Sequence, residues 1–241
     1  MRVQQERAFI LHSRPYQESS AILELLTLEH GRVSVLARGA RRAGRRRQMI
    51  APFNELQVGF GGRGTLYNLN GLDVIAHHWL SGVPLYAGLY MNEISLRLLR
   101  PQDPHPALFV GYGDSVRALV GRSQSSADVA AVDVEPVLRR FEKLLLREAG
   151  YELVFDLDMQ TGEPVQPEQH YQFIPEAGFV AGTSAQAGGT LLVPGDVLLS
   201  IAADDYQDPE VRRLAKRIMR QALGPLLGAR GLHSRALFRE T

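Results

Sequence analysis

The apolar positions of this 241-residue chain change period near residue 80. Before it, β-rich runs over residues 8–12, 20–27, 32–37, 54–60 and 65–69 are separated by turn clusters at 13–18 and 29–31. Five short strands within this span predict a small closed barrel of the OB type over residues 1–80, because full closure leaves no exposed sheet edge.

From residue 83 the period is helical. Pro84 opens a helix carrying Tyr86, Tyr90 and Ile94 at four-residue spacing, and Pro101 stops it. Pro106 opens another, with Phe109, Tyr112, Val116 and Leu119 on one side. Residues 121–131 read as a flexible connection. A third helix follows, with Asp133 as its cap, Val134, Val137, Leu138, Phe141, Leu144 and Leu145 as its apolar stripe, and Gly150 as its end. These three predict a helical bundle domain over 81–150. Residues 151–206 are broken by Gly and Pro and predict a small module of strands and turns. The closing segment, 207–241, is expected to pack back on the helical domain. Its helix has Asp208 as N-cap, Pro209 as first residue and Gly224-Pro225 as its end. The fold class is therefore α+β multidomain.

Charge changes the picture from fold to partner. The formal net charge of +1 hides a surplus of +6 over residues 1–50, a balance of −12 over 51–210 and a surplus of +7 over 211–241. The first surplus is concentrated in Arg38, Arg41, Arg42, Arg45, Arg46 and Arg47, with no acid among them. On the barrel reading this stretch is the long loop between the third and fourth strands, and loops on rigid barrels commonly present binding side chains. The second surplus lies on the last helix. At about 100° per residue, Val211, Leu214, Ala215, Ile218, Met219 and Ala222 share one face. Arg212, Arg213, Lys216, Arg217 and Arg220 share the other. Such surfaces follow phosphates, so nucleic acid is the expected partner. Only Lys143 and Lys216 among the cations are lysine, a bias that codon preference explains better than phosphate binding. Charge alone fits an OB-fold RNA-binding protein as well as a DNA-binding one.

Candidate chemistry is mostly excluded. No cysteine occurs, which removes disulfides, thiol nucleophiles and cysteine-held metals. Gly59, Gly61 and Gly64 satisfy G-x-G-x-x-G, but a strand-like run follows where a dinucleotide site needs a helix, so a hairpin turn is expected. There is no Walker A sequence, no H-E-x-x-H around His77 and His78, and no G-x-S-x-G. No enzymatic activity, cofactor or metal is expected. No apolar run reaches the length of a bilayer span, and the first seven residues are too polar for a signal peptide, so a cytoplasmic protein without membrane contact is expected.

The chain resembles the bacterial recombination-repair mediator family RecO. The marks are Arg7-Ala-Phe-Ile-Leu-His-Ser-Arg-Pro-Tyr16, Glu18-Ser-Ser20, Gly31-Arg-Val33, Gly39-Ala-Arg41, Pro52-Phe53 and Phe60-Gly-Gly-Arg-Gly64. They continue through Leu80-Ser-Gly, Leu85 to Glu93, Leu138-Arg-Arg-Phe-Glu142, Gly150-Tyr151, Ala215-Lys-Arg217 and Ser234 to Arg239. Each is weak alone; their order and spacing carry the likeness. The resemblance implies an N-terminal OB-fold, a helical domain and a small zinc-finger-like module, here without cysteine and therefore without zinc. It implies binding of single- and double-stranded DNA, strand annealing and a nucleoid-associated location. It also implies contact with the C-terminal tail of single-strand DNA-binding protein (SSB), contact with RecR, and indirect support of RecA.

Residue expectations follow. Both arginine-rich groups are expected to hold DNA phosphates, with Arg14 and Arg63 adding contacts. Tyr16 and Tyr67 are candidates for base stacking, whereas Phe9, Phe53 and Phe60 are expected in the core. An acidic, apolar SSB tail needs an apolar groove with a cation beside it. Leu138, Arg139 and Arg140 are expected to supply it, the competing role for Arg139 being an ion pair with Glu135.

Overall fold

A computed structural model of the chain describes residues 1–41, 49–120, 132–182, 191–228 and 230–237. They fall into two compact units, Met1–Val134 with Leu232–Thr241, and Glu135–Gly231. The division lies inside the stretch 81–150 that periodicity assigns to one helical domain. The described helices are α1 (Gly82–Leu98), α2 (Pro106–Val120), α3 (Val134–Glu148), α4 (Gly195–Ala202), α5 (Pro209–Leu227) and α6 (Ser234–Leu237).

In the first unit, β1 (Arg2–Tyr16), β2 (Ser20–Thr27), β3 (Gly31–Ala37), β4 (Glu55–Gly61) and β5 (Leu66–Ala76) close into a barrel in the order β1-β2-β3-β5-β4. Alternation dictates which side chains enter it. On β3, Val33, Val35 and Ala37 are buried while Arg32, Ser34 and Leu36 are half-buried. Ala8, Ile10, Leu23, Leu25, Val58, Phe60 and Tyr67 complete much of the interior. The glycine-rich run is the β4–β5 hairpin, where Gly62 and Gly64 have φ of 147° and 81°. Glycine adopts such angles without strain, and no helix follows to receive a pyrophosphate.

Helices α1 and α2 join the same unit. Phe9 of β1 meets Phe109 and Tyr112 of α2 at 5.1 and 4.9 Å between centroids. The connection after α1 covers the end of the barrel where β3 and β5 begin. Gln102 donates its backbone N–H to the Arg32 carbonyl at 2.9 Å and accepts from the Tyr67 hydroxyl at 3.0 Å. Gly31 passes so near Asp103 that a Cβ would stand 2.0 Å from its carbonyl oxygen. The chain's closing segment returns to α1. The Glu93 carboxylate accepts from the backbone N–H of His233 at 3.0 Å, that of Ser234 at 2.9 Å and the Ser234 hydroxyl at 2.7 Å.

The second unit joins α3, α4 and α5 with a sheet of β6 (His170–Ile174), β7 (Gly178–Ala181) and β8 (Leu192–Pro194), ordered β7-β6-β8. Its core includes Phe155, Phe173 and Phe179, with Phe179 5.2 Å from each of the other two rings. Buried Asp158 accepts from the backbone N–H groups of Gln160, Thr161 and Ala181, tying a turn to β7. Asp208 caps α5 by accepting from Glu210 N at 2.7 Å, and Val211, Leu214, Ala215, Ile218 and Met219 face inward as the periodicity requires. The helix does not stop at Gly224-Pro225; it continues to Leu227 and ends at Gly228, φ 70°. Pro225 sits in the last turn, where its missing N–H removes a single backbone bond, and buried Leu223 holds the turn in place. The segment 207–241 thus divides: α5 belongs to the second unit, and residues from Leu232 belong to the first.

Candidate nucleic-acid interface

Strand direction gathers one set of the expected residues. β1 is antiparallel to β2, β2 to β3, and β3 is parallel to β5, so β1, β3 and β5 run toward the same end of the barrel. At that end stand Tyr16, the last residue of β1, and Arg38 and Arg41, which follow β3 directly. Tyr16, Ser20, Leu36 and Arg38 line one depression. Arg41 is tied to the β1–β2 turn, its backbone N–H donating to the Ser19 carbonyl at 2.9 Å and its Nη1 to that of Gln17 at 3.3 Å. Arg14 is exposed two residues before Tyr16, on the same strand face. This rim offers cations for phosphates beside an exposed aromatic ring for a base. Arg42, Arg45, Arg46 and Arg47 lie outside the described residues.

Two other barrel residues are not part of that rim. Arg63 is exposed in the β4–β5 hairpin at the opposite end, where Gly62 and Met1 exchange hydrogen bonds at 3.0 Å. Tyr67 is not a stacking surface. It is 4% exposed, its ring packs 5.6 Å from Phe60, and its hydroxyl is spent on Gln102. The inward phase of β5 places it in the core. Phe9, Phe53 and Phe60 are buried as expected.

The cationic face of α5 is partly neutralised. Arg213 pairs with Glu210, and Lys216 pairs with Glu135 at 2.6 Å. Arg212 is half-buried and donates through Nε to the Tyr206 carbonyl. Arg217 and Arg220 are exposed and make no ion pair among the described residues. The face therefore presents fewer open cations than its composition implies.

On α3, Leu138 is buried and Arg139 does not flank a groove. Arg139 is 6% exposed and donates through Nη2 to the buried Glu142 carboxylate at 3.0 Å. Its partner is Glu142, one turn on, and not Glu135. Both side chains are buried, so Arg139 and Glu142 neutralise one another away from solvent. Arg140 points elsewhere, with Lys143 and Arg147 at the three- and seven-residue spacings that share a face. These three, with Leu144, Val154 and Phe155, line a cleft of about 510 Å³. Arg140 and Lys143 also bind the Asp204 carbonyl and carboxylate, at 2.9 and 2.7 Å.

His77 and His78 do not converge. His77 is exposed, whereas His78 is half-buried, and burial with the nearby charge of Arg117 pushes its imidazole below the ordinary value despite Glu55. Among the described residues no three His, Asp or Glu side chains are grouped to hold a metal, and no helix is long and apolar enough to cross a membrane.

Two family models match the chain in tandem: Recombination protein O N terminal over residues 1–78 and Recombination protein O C terminal over 81–236. The chain belongs to the RecO family. It is 41% identical to the DNA repair protein RecO of Stutzerimonas stutzeri over 232 residues, 96% of this chain and 92% of that relative. It is 39% identical to the protein of the same name from Marinobacter nauticus over 238 residues, 98% and 94% of the two chains. The corresponding protein of Methylococcus capsulatus is 39% identical over 248 residues, covering 100% of this chain and 95% of its own.

Within this RecO family member, sequence pattern does not single out Trp79, which is 84% exposed three residues after β5. Leu72, Val74 and Ala76 alternate with Asp73, Ile75 and His77, so apolar side chains occupy both rows and periodicity cannot tell the outward one. The cleft beside Arg140 is equally hidden, because residues 152–156 and 202–204 reach it from distant parts of the chain.

Proposed function

We propose that this RecO family member is a recombinational DNA-repair mediator. It binds single- and double-stranded DNA, anneals complementary strands, and with RecR helps RecA onto strands covered by SSB. The observation that carries this reading is family membership over both halves of the chain, with relatives named DNA repair protein RecO. The barrel rim supports it physically. Annealing brings two like-charged strands together, and Arg14, Arg38 and Arg41 lower that repulsion by contacting phosphates without reading sequence. Arg42, Arg45, Arg46 and Arg47 extend the same role along the chain, and Arg217 and Arg220 of α5 form a second, smaller contact. No bond is made or broken, so the protein acts without catalysis of its own. The sheet β6–β8 serves as a metal-free counterpart of the zinc module, held by phenylalanine packing and Asp158.

The SSB tail, acidic and apolar, binds in the α3 cleft, where Arg140 and Arg147 meet carboxylates and Leu144, Val154 and Phe155 take apolar side chains. Replacing Arg140 and Arg147 together with Ala is expected to weaken a tail peptide about tenfold while DNA affinity holds. The reading as a whole is tested by annealing of complementary oligonucleotides without ATP, with bare and with SSB-covered strands. Acceleration in both is expected; no acceleration of bare strands contradicts it.

A further inference from the structure

We propose that Trp79 is a platform on which one unpaired DNA base stacks, and that it makes the barrel rim prefer single strands over duplex. This rests on the DNA-binding reading above and adds to it a residue and a source of selectivity.

Trp79 is the chain's single tryptophan and is 84% exposed, the largest exposure among the bulky apolar side chains of the described residues. It continues the burial alternation of β5. Outward Ile75, at 51% exposure, and exposed His77 alternate with half-buried Val74, Ala76 and His78, and Leu80 beyond is buried at 6%. Each outward side chain thus lies between inward ones. The result is an indole turned to solvent, with the exposed imidazole of His77 before it in the outward row.

β5, whose last residue precedes Trp79 by three, runs toward the same barrel end as β1 and β3, the end that bears Tyr16, Arg38 and Arg41. Cations and exposed aromatic rings at one end of a small barrel are the combination that holds single-stranded nucleic acid: phosphates meet the arginines and splayed bases cover the rings. The acidic residue of the row, Asp73, lies further back down the strand. A duplex keeps its bases stacked on one another and cannot use the indole without being opened. Pairing of two strands therefore withdraws the base from Trp79 and leaves the product held by phosphates alone. That gives an annealing protein a means of favouring its substrate over its product.

The test uses the full chain with fluorescein-labelled oligothymidine and a labelled duplex, reading anisotropy and tryptophan emission together. With one tryptophan, emission reports on Trp79 directly. Single strands are expected to quench it and duplex to leave it nearly unchanged. Trp79→Ala is expected to weaken single-strand binding about tenfold. Its salt slope should match that of the parent, because stacking releases no counterions. Trp79→Phe keeps a ring and should restore most of the affinity. If anisotropy reports single-strand binding while emission stays constant and Trp79→Ala binds normally, the platform is overturned and the DNA-binding reading stands. If neither probe responds, the DNA-binding reading itself fails. If emission changes with protein concentration in the absence of DNA, the indole belongs to a contact between copies, which also overturns the platform.

Discussion

Tyr67 and Arg139 are residues whose types promise binding and whose positions deny it. Tyr67 lies on the inward row of β5, and a one-residue change of phase would have put it outside. Tyr67→Phe should cost about 1 kcal/mol by removing the bond to Gln102 and leave single-strand affinity unchanged. A denaturation midpoint and an anisotropy titration decide both halves. Arg139 sits one residue from an apolar stripe, so a helical wheel drawn for one buried face leaves it outside; α3 buries a wider arc. Arg139→Ala removes the cation that neutralises Glu142, and should destabilise the protein by about 3 kcal/mol in urea unfolding. A variant of unchanged stability that no longer binds the tail peptide would restore Arg139 to the groove.

Elements were legible in the sequence wherever period and punctuation agreed. Five barrel strands, the α5 cap and the glycine-rich hairpin follow from alternation, Asp208-Pro209 and positive-φ glycines. The grouping of helices was not legible, because it depends on partners distant in sequence. Glu93 shows this, joining α1 to residues 233 and 234. Partial burial pushes its carboxyl up, but the bonds from Ser234 and His233 and the charge of Arg97 outweigh this and hold it below the ordinary glutamate value. A depressed carboxylate contributes stability above its unfolded value of 4.5 and loses it as pH falls through the lower folded value. Amide exchange across 233–237 should therefore accelerate on acidification beyond the intrinsic rate, and Glu93→Gln should show the fast exchange already at neutral pH. Identical protection in the variant would refute this. Asp208→Ala, by removing the α5 cap, should cost about 1 kcal/mol in thermal or urea unfolding.

At the scale of the whole molecule, charge segregation is the feature that sequence and structure share. The barrel rim places Arg38 and Arg41 beside Tyr16, whereas Arg63 stands at the far end and three cations of α5 are already engaged. Composition alone weighted all of these alike, because it counts charges without seeing which carboxylate or carbonyl each one meets. The functional reading turns on rim arginines holding DNA by its phosphates. Salt dependence of single-strand binding decides it, measured for the parent and for a variant with Arg38 and Arg41 both replaced by Ala. Weaker binding is expected, with a log–log salt slope shallower by about 1.4, or about 0.7 for each phosphate no longer neutralised. Unchanged affinity together with an unchanged slope would overturn it.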